Sequence, residues 1–423
     1  MRLRVGGSVL LASSLALAGC GASHRAPDCA RRVADDASAP GYVWSVTCDV
    51  SGYPRLAGGQ DGGVALRLIS LEAGEVNLGG ASLVVDANSE VVARFDGDGH
   101  HVWSELVRPA TATSPLVQTL PDGGVALGLE IRGPFDFGGR AFDAVEGVTS
   151  TAVVALAPDG RPRWSRIFSA AGPESTVGIE SLATSADGSI AVHVYTAGPL
   201  RVDDEGPFGD SGNSIALFDV DGSLQRVVDA PLGLLIDLAD DGSLLLDRGA
   251  EGFAVLDPDG SPRWDRVLDA VFRGRFSPSG DLVIAGALVR TLNLGGDDLV
   301  KTDYLPDFGN SSVFVARYSA AGEHEWSLSL DEDRGVYELD VDSSEVLTLV
   351  TYLSDDRARI IRLDEAGQLS DERTTRPLNA HLAAILPDGD VVLTGTAEEP
   401  FDLGGGVEPF SGPRAVWLVK YAR

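Results

Sequence analysis

Beyond about Tyr42 the chain alternates apolar and polar positions in short runs separated by Gly-bearing turns, and no helical period of useful length interrupts it. One phrase recurs: VVARFDGDGHHVWSELV (Val91 to Val107), VVALAPDGRPRWSRIF (Val153 to Phe168), FAVLDPDGSPRWDRVL (Phe253 to Leu268) and VFVARYSAAGEHEWSLSL (Val313 to Leu330). Weaker copies without Trp start at Ile215 and Ile360. Each has the pattern of a β-hairpin, with period-two alternation on both sides of a turn. A second hairpin phrase precedes each copy, as at Val117 to Ile131, Leu182 to Tyr195, Leu235 to Leu246, Phe276 to Leu288 and Leu382 to Gly395. Degenerate forms lie at Leu56 to Leu68 and Leu339 to Leu349.

Two hairpins make a four-stranded antiparallel unit, A-B-C-D, repeated every roughly 40 to 60 residues. Such a unit cannot bury both faces alone, so neighbours must stack; four-stranded sheets repeated around an axis make a β-propeller. The ends supply the count. AVWLVKYAR (Ala415 to Arg423) matches strand C and no D strand follows, while YVWSVTC (Tyr42 to Cys48) matches strand D and no A strand precedes it. The expected fold is therefore an all-β, seven-bladed propeller closed by its N-terminal strand, which leaves no open edge at the seam. The D strands lie near Trp44, Trp103, Trp164, Gln225, Trp264, Trp326 and Gln368. The repeated Trp is read as packing between blades rather than as a ligand platform.

In an A-B-C-D blade the A–B and C–D turns share one face of the disc, and the B–C loops share the other. The B–C connections carry the optional length and a third phrase: VNLGGASL (Val76 to Leu83), FDFGGRAF (Phe135 to Phe142), LNLGGDDL (Leu292 to Leu299) and FDLGGGVEPF (Phe401 to Phe410). A degenerate form runs from Leu200 to Phe208, and blades four and six lack it. Two readings follow: loops framing a binding surface around the channel, or small β-excursions packing against the next blade. The second is preferred for the motif residues. For the loop tips, Asp303 to Ser311 and Asp143 to Ser150, both stay open.

Composition narrows the setting. The formal net charge is −30, spread along the chain, which argues against nucleic acid and anionic lipid surfaces as partners. At the N-terminus Arg2 and Arg4 precede an apolar stretch, Val5 to Ala18, and then Leu17-Ala18-Gly19-Cys20. The stretch falls short of the roughly 20 residues of a membrane span. It resembles the bacterial lipoprotein signal, and the resemblance implies cleavage before a lipid-modified Cys20. The expected organisation is a signal peptide over 1–19, a lipid-anchored linker over 20–40 and the propeller over 41–423. The sorting rule of enteric lipoproteins, applied to Gly21, implies the outer membrane. Cys29 and Cys48 remain, in a compartment that permits disulfides. Pairing is the economical reading; two isolated thiols are the alternative.

The repeats resemble the secreted and lipid-anchored bacterial β-propeller repeat families, from about Tyr42 onward. The Gly-x-x-x-Trp element is also similar to quinoprotein-like propeller repeats, although the Thr before the turn Gly is missing and the count is seven rather than eight. Neither resemblance names a ligand. His24, His100, His101, His193, His324 and His381 form no metal-binding spacing, and no nucleophile elbow, phosphate loop or dinucleotide fingerprint is present. DGDG (Asp96 to Gly99), DVDG (Asp219 to Gly222) and DPDG (Asp257 to Gly260) lack the further oxygen ligands of a calcium loop and are read as hairpin turns. No catalytic residue, metal or cofactor is therefore expected. The reading is an envelope-anchored binding or scaffold module with a protein or glycan partner, of open oligomeric state. A quinone-dependent oxidoreductase or a hydrolase is the rival class.

Overall fold

The computed structural model describes residues 29–35, 38–107, 116–132, 135–137, 140–142, 149–170, 176–209, 212–230, 233–270, 272–300, 312–377, 380–408 and 413–423. The chain forms seven antiparallel blades, each ordered A-B-C-D. Blade 1 comprises Gly52–Gly58, Val64–Ser70, Glu90–Phe95 and His101–Val107. Blade 2 comprises Leu116–Thr119, Val125–Arg132, Thr149–Leu156 and Pro162–Ala170. Blade 3 comprises Val177–Thr184, Ile190–Thr196, Gly212–Phe218 and Leu224–Asp229. Blade 4 comprises Leu234–Leu238, Leu244–Asp247, Phe253–Leu256 and Pro262–Arg266. Blade 5 comprises Phe272–Phe276, Leu282–Leu288, Ser312–Tyr318 and His324–Leu330. Blade 6 comprises Gly335–Val341, Leu347–Tyr352, Arg357–Leu363 and Leu369–Pro377.

Blade 7 takes strands A to C from Ala380–Ile385, Val391–Ala397 and Ala415–Tyr421, and its D strand is Tyr42–Cys48. The seam is an antiparallel ladder, from Tyr42 opposite Tyr421 to Cys48 opposite Val416, with one register shift between Tyr42 and Trp44. The ring is thus closed by the N-terminal strand, as the sequence pattern implies. A fifth strand, Cys29–Val33, pairs outside it with Cys29 opposite Cys48, and a disulfide joins the two. Part of the stretch read as linker is therefore sheet. Strand C of blade 7 needs a D partner, and that partner in turn offers Cys29–Val33 an edge to pair with.

Strands A of adjacent blades contact one another at the centre, and strands D form the outer rim. The apolar clusters lie between blades: one joins Trp44 and Val46 of blade 7 to Leu66, Leu68 and Val91 of blade 1. Alternation explains this, because every strand sends successive side chains towards opposite neighbours.

The D-strand Trp residues hold these interfaces. Each indole N–H donates to a carbonyl in the C–D turn of the next blade: Trp44 to Gly97 at 3.0 Å, Trp103 to Pro158 at 2.9 Å, Trp164 to Val220 at 3.0 Å, Trp264 to Ala320 at 3.2 Å and Trp326 to Glu365 at 2.8 Å. The ring lies on the turn Gly of that blade. A Cβ on Gly99 would stand 2.7 Å from Trp44, and its φ of +79° is itself a Gly conformation. Blades 3 and 6 have Arg226 and Asp371 at the Trp register. There the contact moves two residues along, with Val228 against Gly260 and Arg373 against Gly41.

Candidate functional site

The described parts of the B–C excursions do not frame the channel. They fold back along the outer rim, where those of blades 1, 2 and 5 contact D strands. In blade 3, Leu200–Val202 adds itself to the D edge of blade 2, with Val202 opposite Phe168. Their shared phrase has a structural cause. The Asn or Asp side chain accepts from the Gly N–H two residues on: Asn77 from Gly79 at 2.7 Å, Asn293 from Gly295 at 2.9 Å and Asp402 from Gly404 at 2.8 Å. Leu78, Leu294 and Leu403 are buried. The Gly-Gly pair lies flat on the first ring of strand D, namely His101, His324 and Tyr42 respectively. The motif residues thus pack, which is the reading preferred for them from the sequence. The loop tip Asp303 to Ser311 lies outside the described residues, as does 143–148 of the other tip.

The cavity that the fold does form opens on the opposite face, among the short A–B turns. It has a volume of about 710 Å³, and all seven blades contribute to its wall. Its geometry follows from one register. In every blade the residue that opens the A–B turn donates its N–H to the residue four further on: Gly59, Leu120, Ser185, Ala239, Ser277, Asp342 and Leu386. Two positions before these stand Ala57, Gln118, Ala183, Asp237, Arg275, Asp340 and Ala384. This position is small on blades 7, 1 and 3 and charged on blades 4, 5 and 6. The wall is accordingly uncharged on one flank, where Gln118 of blade 2 stands between the small residues, and ionised on the other.

The charged flank is a network around Arg275. Its guanidinium donates to Asp237 at 2.8 Å and approaches Glu338 at 3.9 Å. Asp237, buried, also accepts the Phe276 N–H at 2.8 Å. Burial works against the Arg275 charge, but Asp237, Glu338 and Asp340 outweigh it and hold its pKa above the ordinary arginine value. Burial pushes the Asp237 carboxyl up despite Arg275 beside it. Burial likewise pushes Asp340 up, to about 6. Glu338 and Asp340 accept from the adjacent Leu339 and Val341 N–H groups at 3.2 and 3.0 Å.

Other carboxylates on the wall hold turns. Asp240 of blade 4 accepts the Ala186 N–H of blade 3 at 2.7 Å, and Asp342 accepts those of Ser344 and Val346 at 2.8 and 3.0 Å. With Asp241 included, six carboxylates and the single cation Arg275 line the cavity among the described residues. Such a wall accepts hydrogen bonds from hydroxyl or ammonium donors and repels anions.

The remaining candidates fall elsewhere. His100 and His101, adjacent on one turn, diverge: His100 is exposed beside Asp96, while His101 lies under Gly79 and Gly80, with its pKa lowered by burial. Ligand atoms of Asp96, Asp98 and His100 lie within 4.8 Å of one another. The Asp96 carboxylate already accepts the N–H groups of Asp98 and His100, at 3.0 and 2.8 Å, which is sufficient reason for the turn. Cys20 and the stretch 1–19 read as its signal lie outside the described residues. The charged register of the A strands is the feature that sequence reading missed, although alignment on the A–B turns would expose it.

No protein-family model matches the chain, and no curated protein matches it. Solved structures do. The WD40 domain of Neurospora crassa Pan2 aligns with a TM-score of 0.48 and 11% identity over 88% of this chain and 90% of that one. The Dos1 propeller aligns at 0.46 and 11% over 89% and 94%, and a Bacteroides caccae protein of unknown function at 0.38 and 11% over 67% and 89%. The seven-bladed assignment rests on the chain's own strand order and its closed seam.

Proposed function

We propose that the chain is a binding module held at the cell envelope by lipid on Cys20, and that its partner presents a hydroxyl-rich or cationic group, such as a glycan end, to the turn-side cavity. The observation that carries this reading is the cavity itself: about 710 Å³, within the range of small-molecule sites, with convergent carboxylates on one flank. The anchor is supported by Arg2, Arg4, the apolar Val5 to Ala18 and Leu17-Ala18-Gly19-Cys20. Gly21 supports the outer membrane as its address.

Lipid-free protein beginning at residue 21 would be screened against a glycan array and envelope extracts. Captured ligands would then be titrated against the Glu338→Gln and Asp340→Asn variants. Either substitution should weaken binding by tenfold or more, about the worth of one charge-assisted hydrogen bond. Unchanged affinity in both variants would remove the cavity from the reading. Fractionation of the Cys20→Ser variant tests the anchor: it should accumulate as an unprocessed precursor, and normal processing would exclude Cys20 as the modified residue.

One observation favours a hydrolase as the second reading. Asp340, with its pKa pushed up to about 6, stands two residues from Glu338 on one strand, as a proton donor beside a second carboxylate would. Under that reading the Asp340→Asn variant retains the captured ligand uncleaved, whereas the parent releases a product.

A further inference from the structure

We infer that, when anchored, the protein stands with its B–C face towards the bilayer near blades 7 and 1, so that the cavity opens away from the membrane. This rests on the lipid-anchor reading and adds an orientation to it. The argument is one of strand direction and chain length.

Tyr42–Cys48 descends from the turn face, where Tyr42 is opposite Tyr421, to the B–C face, where Cys48 is opposite Val416. Cys29–Val33 runs antiparallel to it, with Val33 opposite Trp44 and Cys29 opposite Cys48. The chain therefore enters the fold at Cys29 on the B–C face, and the disulfide to Cys48 fixes it there. The cavity wall is made from the ends of strands A nearest the A–B turns, so its mouth is on the other face. Arg32 holds the entering strand down as well, donating to the Val407 carbonyl at 2.8 Å.

From Cys20 to Cys29 the chain spans at most about 32 Å at full stretch. Strand D, at seven residues, already covers about 23 Å between the faces. Turning the mouth towards the bilayer would require the tether to spend about 23 Å of its length running straight up the rim, which leaves only about 9 Å for the turns and for reaching the lipid. The short tether thus selects one face. A partner must then reach the cavity from the aqueous side, as part of a soluble molecule or of a structure that faces the membrane.

Two exposed residues of blade 1 report the orientation: Ala87 on the B–C side and Asp98 on the C–D turn. Lipidated Ala87→Cys and Asp98→Cys proteins would each carry a fluorophore on the new thiol. They would be reconstituted into phosphatidylcholine vesicles containing a headgroup quencher. Quenching at Ala87→Cys should exceed that at Asp98→Cys severalfold. An insertion of thirty Gly/Ser residues after Ser23 should abolish the difference. Equal or reversed quenching in protein that carries lipid and floats with the vesicles overturns the orientation alone. Protein that carries no lipid and stays in the aqueous phase overturns the anchor reading and the orientation together.

Discussion

The Ser45 hydroxyl donates to the Glu408 carboxylate at 2.6 Å, joining residues 363 positions apart across the seam of the ring. Glu408 is buried, and its second oxygen accepts from Thr47 at 3.2 Å while Arg32 stands 3.5 Å away. Burial raises its pKa, and the hydrogen bonds and Arg32 act in the other direction. The blade 7 excursion is thereby pinned to the strand that closes the ring, and that strand to the one outside it.

The seam predicts a graded response to truncation. Deleting residues 21–40 removes the outermost strand, its disulfide and the Arg32 contacts, so it should cost about the ~3 kcal/mol expected of the bond. Deleting 21–48 also removes Trp44 and bares strand C of blade 7, so a further ~3–5 kcal/mol should go and the protein should aggregate. Thermal melts with light scattering would show both. Equal melting of the longer deletion and the mature chain would refute the closed ring.

The Trp clasps predict unequal mutational losses. Trp44 is 1% exposed, whereas Trp326 is only partly buried, although both donate to the next blade. Trp44→Ala should cost ~3–5 kcal/mol in urea denaturation and Trp326→Ala less than ~3 kcal/mol. The reverse order would mean that the interfaces depend on the indole hydrogen bond rather than on buried area.

Asp340 gives the cavity a pH dependence of defined sign. Its folded pKa of about 6 lies above its ordinary value of 3.8, so the folded state binds the proton more tightly than the unfolded chain. Its contribution to stability is therefore fullest below about pH 4 and is lost as pH rises through 6. The Asp340→Asn variant should match the parent near pH 4 and exceed it at pH 8. Parallel stability profiles for the two proteins would show that the carboxyl is not strained.

Reduction tests the Cys29–Cys48 link separately. The bond closes a separation of 19 residues and should contribute ~3 kcal/mol. Dithiothreitol should shift the urea midpoint down while leaving the ring intact, since Tyr42–Cys48 keeps its ladder to Ala415–Tyr421. An unmoved midpoint would show that the outermost strand is held by pairing alone.

The architecture was legible because it is written seven times, with turn Gly and, in five of the blades, a D-strand Trp marking equivalent points. The recurring Asn-Leu-Gly-Gly phrase was equally visible, and its restraint to packing fits the flat contact of Gly79 and Gly80 with His101. The cavity was not legible for the converse reason. Asp237 breaks the apolar pattern of a copy, Arg275 stands just before one, and Glu338 and Asp340 flank the start of the copy that reads as degenerate. Irregularities of this kind resemble noise until the ring brings three successive blades together. The buried C-strand cations were hidden similarly: Arg317 needs Asp281 of its own blade and Glu345 of the next, both at 2.7 Å.

The seam also sets an order of events in biogenesis. Arg32 meets Val407 across 375 residues, and Trp44 stands opposite Lys420. Blades 1 to 6 can each assemble from contiguous sequence as it becomes available, whereas the seventh must keep its earliest-made strand waiting for its last. Ring closure is then a checkpoint on completeness, since a chain interrupted anywhere before residue 415 leaves Tyr42–Cys48 with no strand C to receive it.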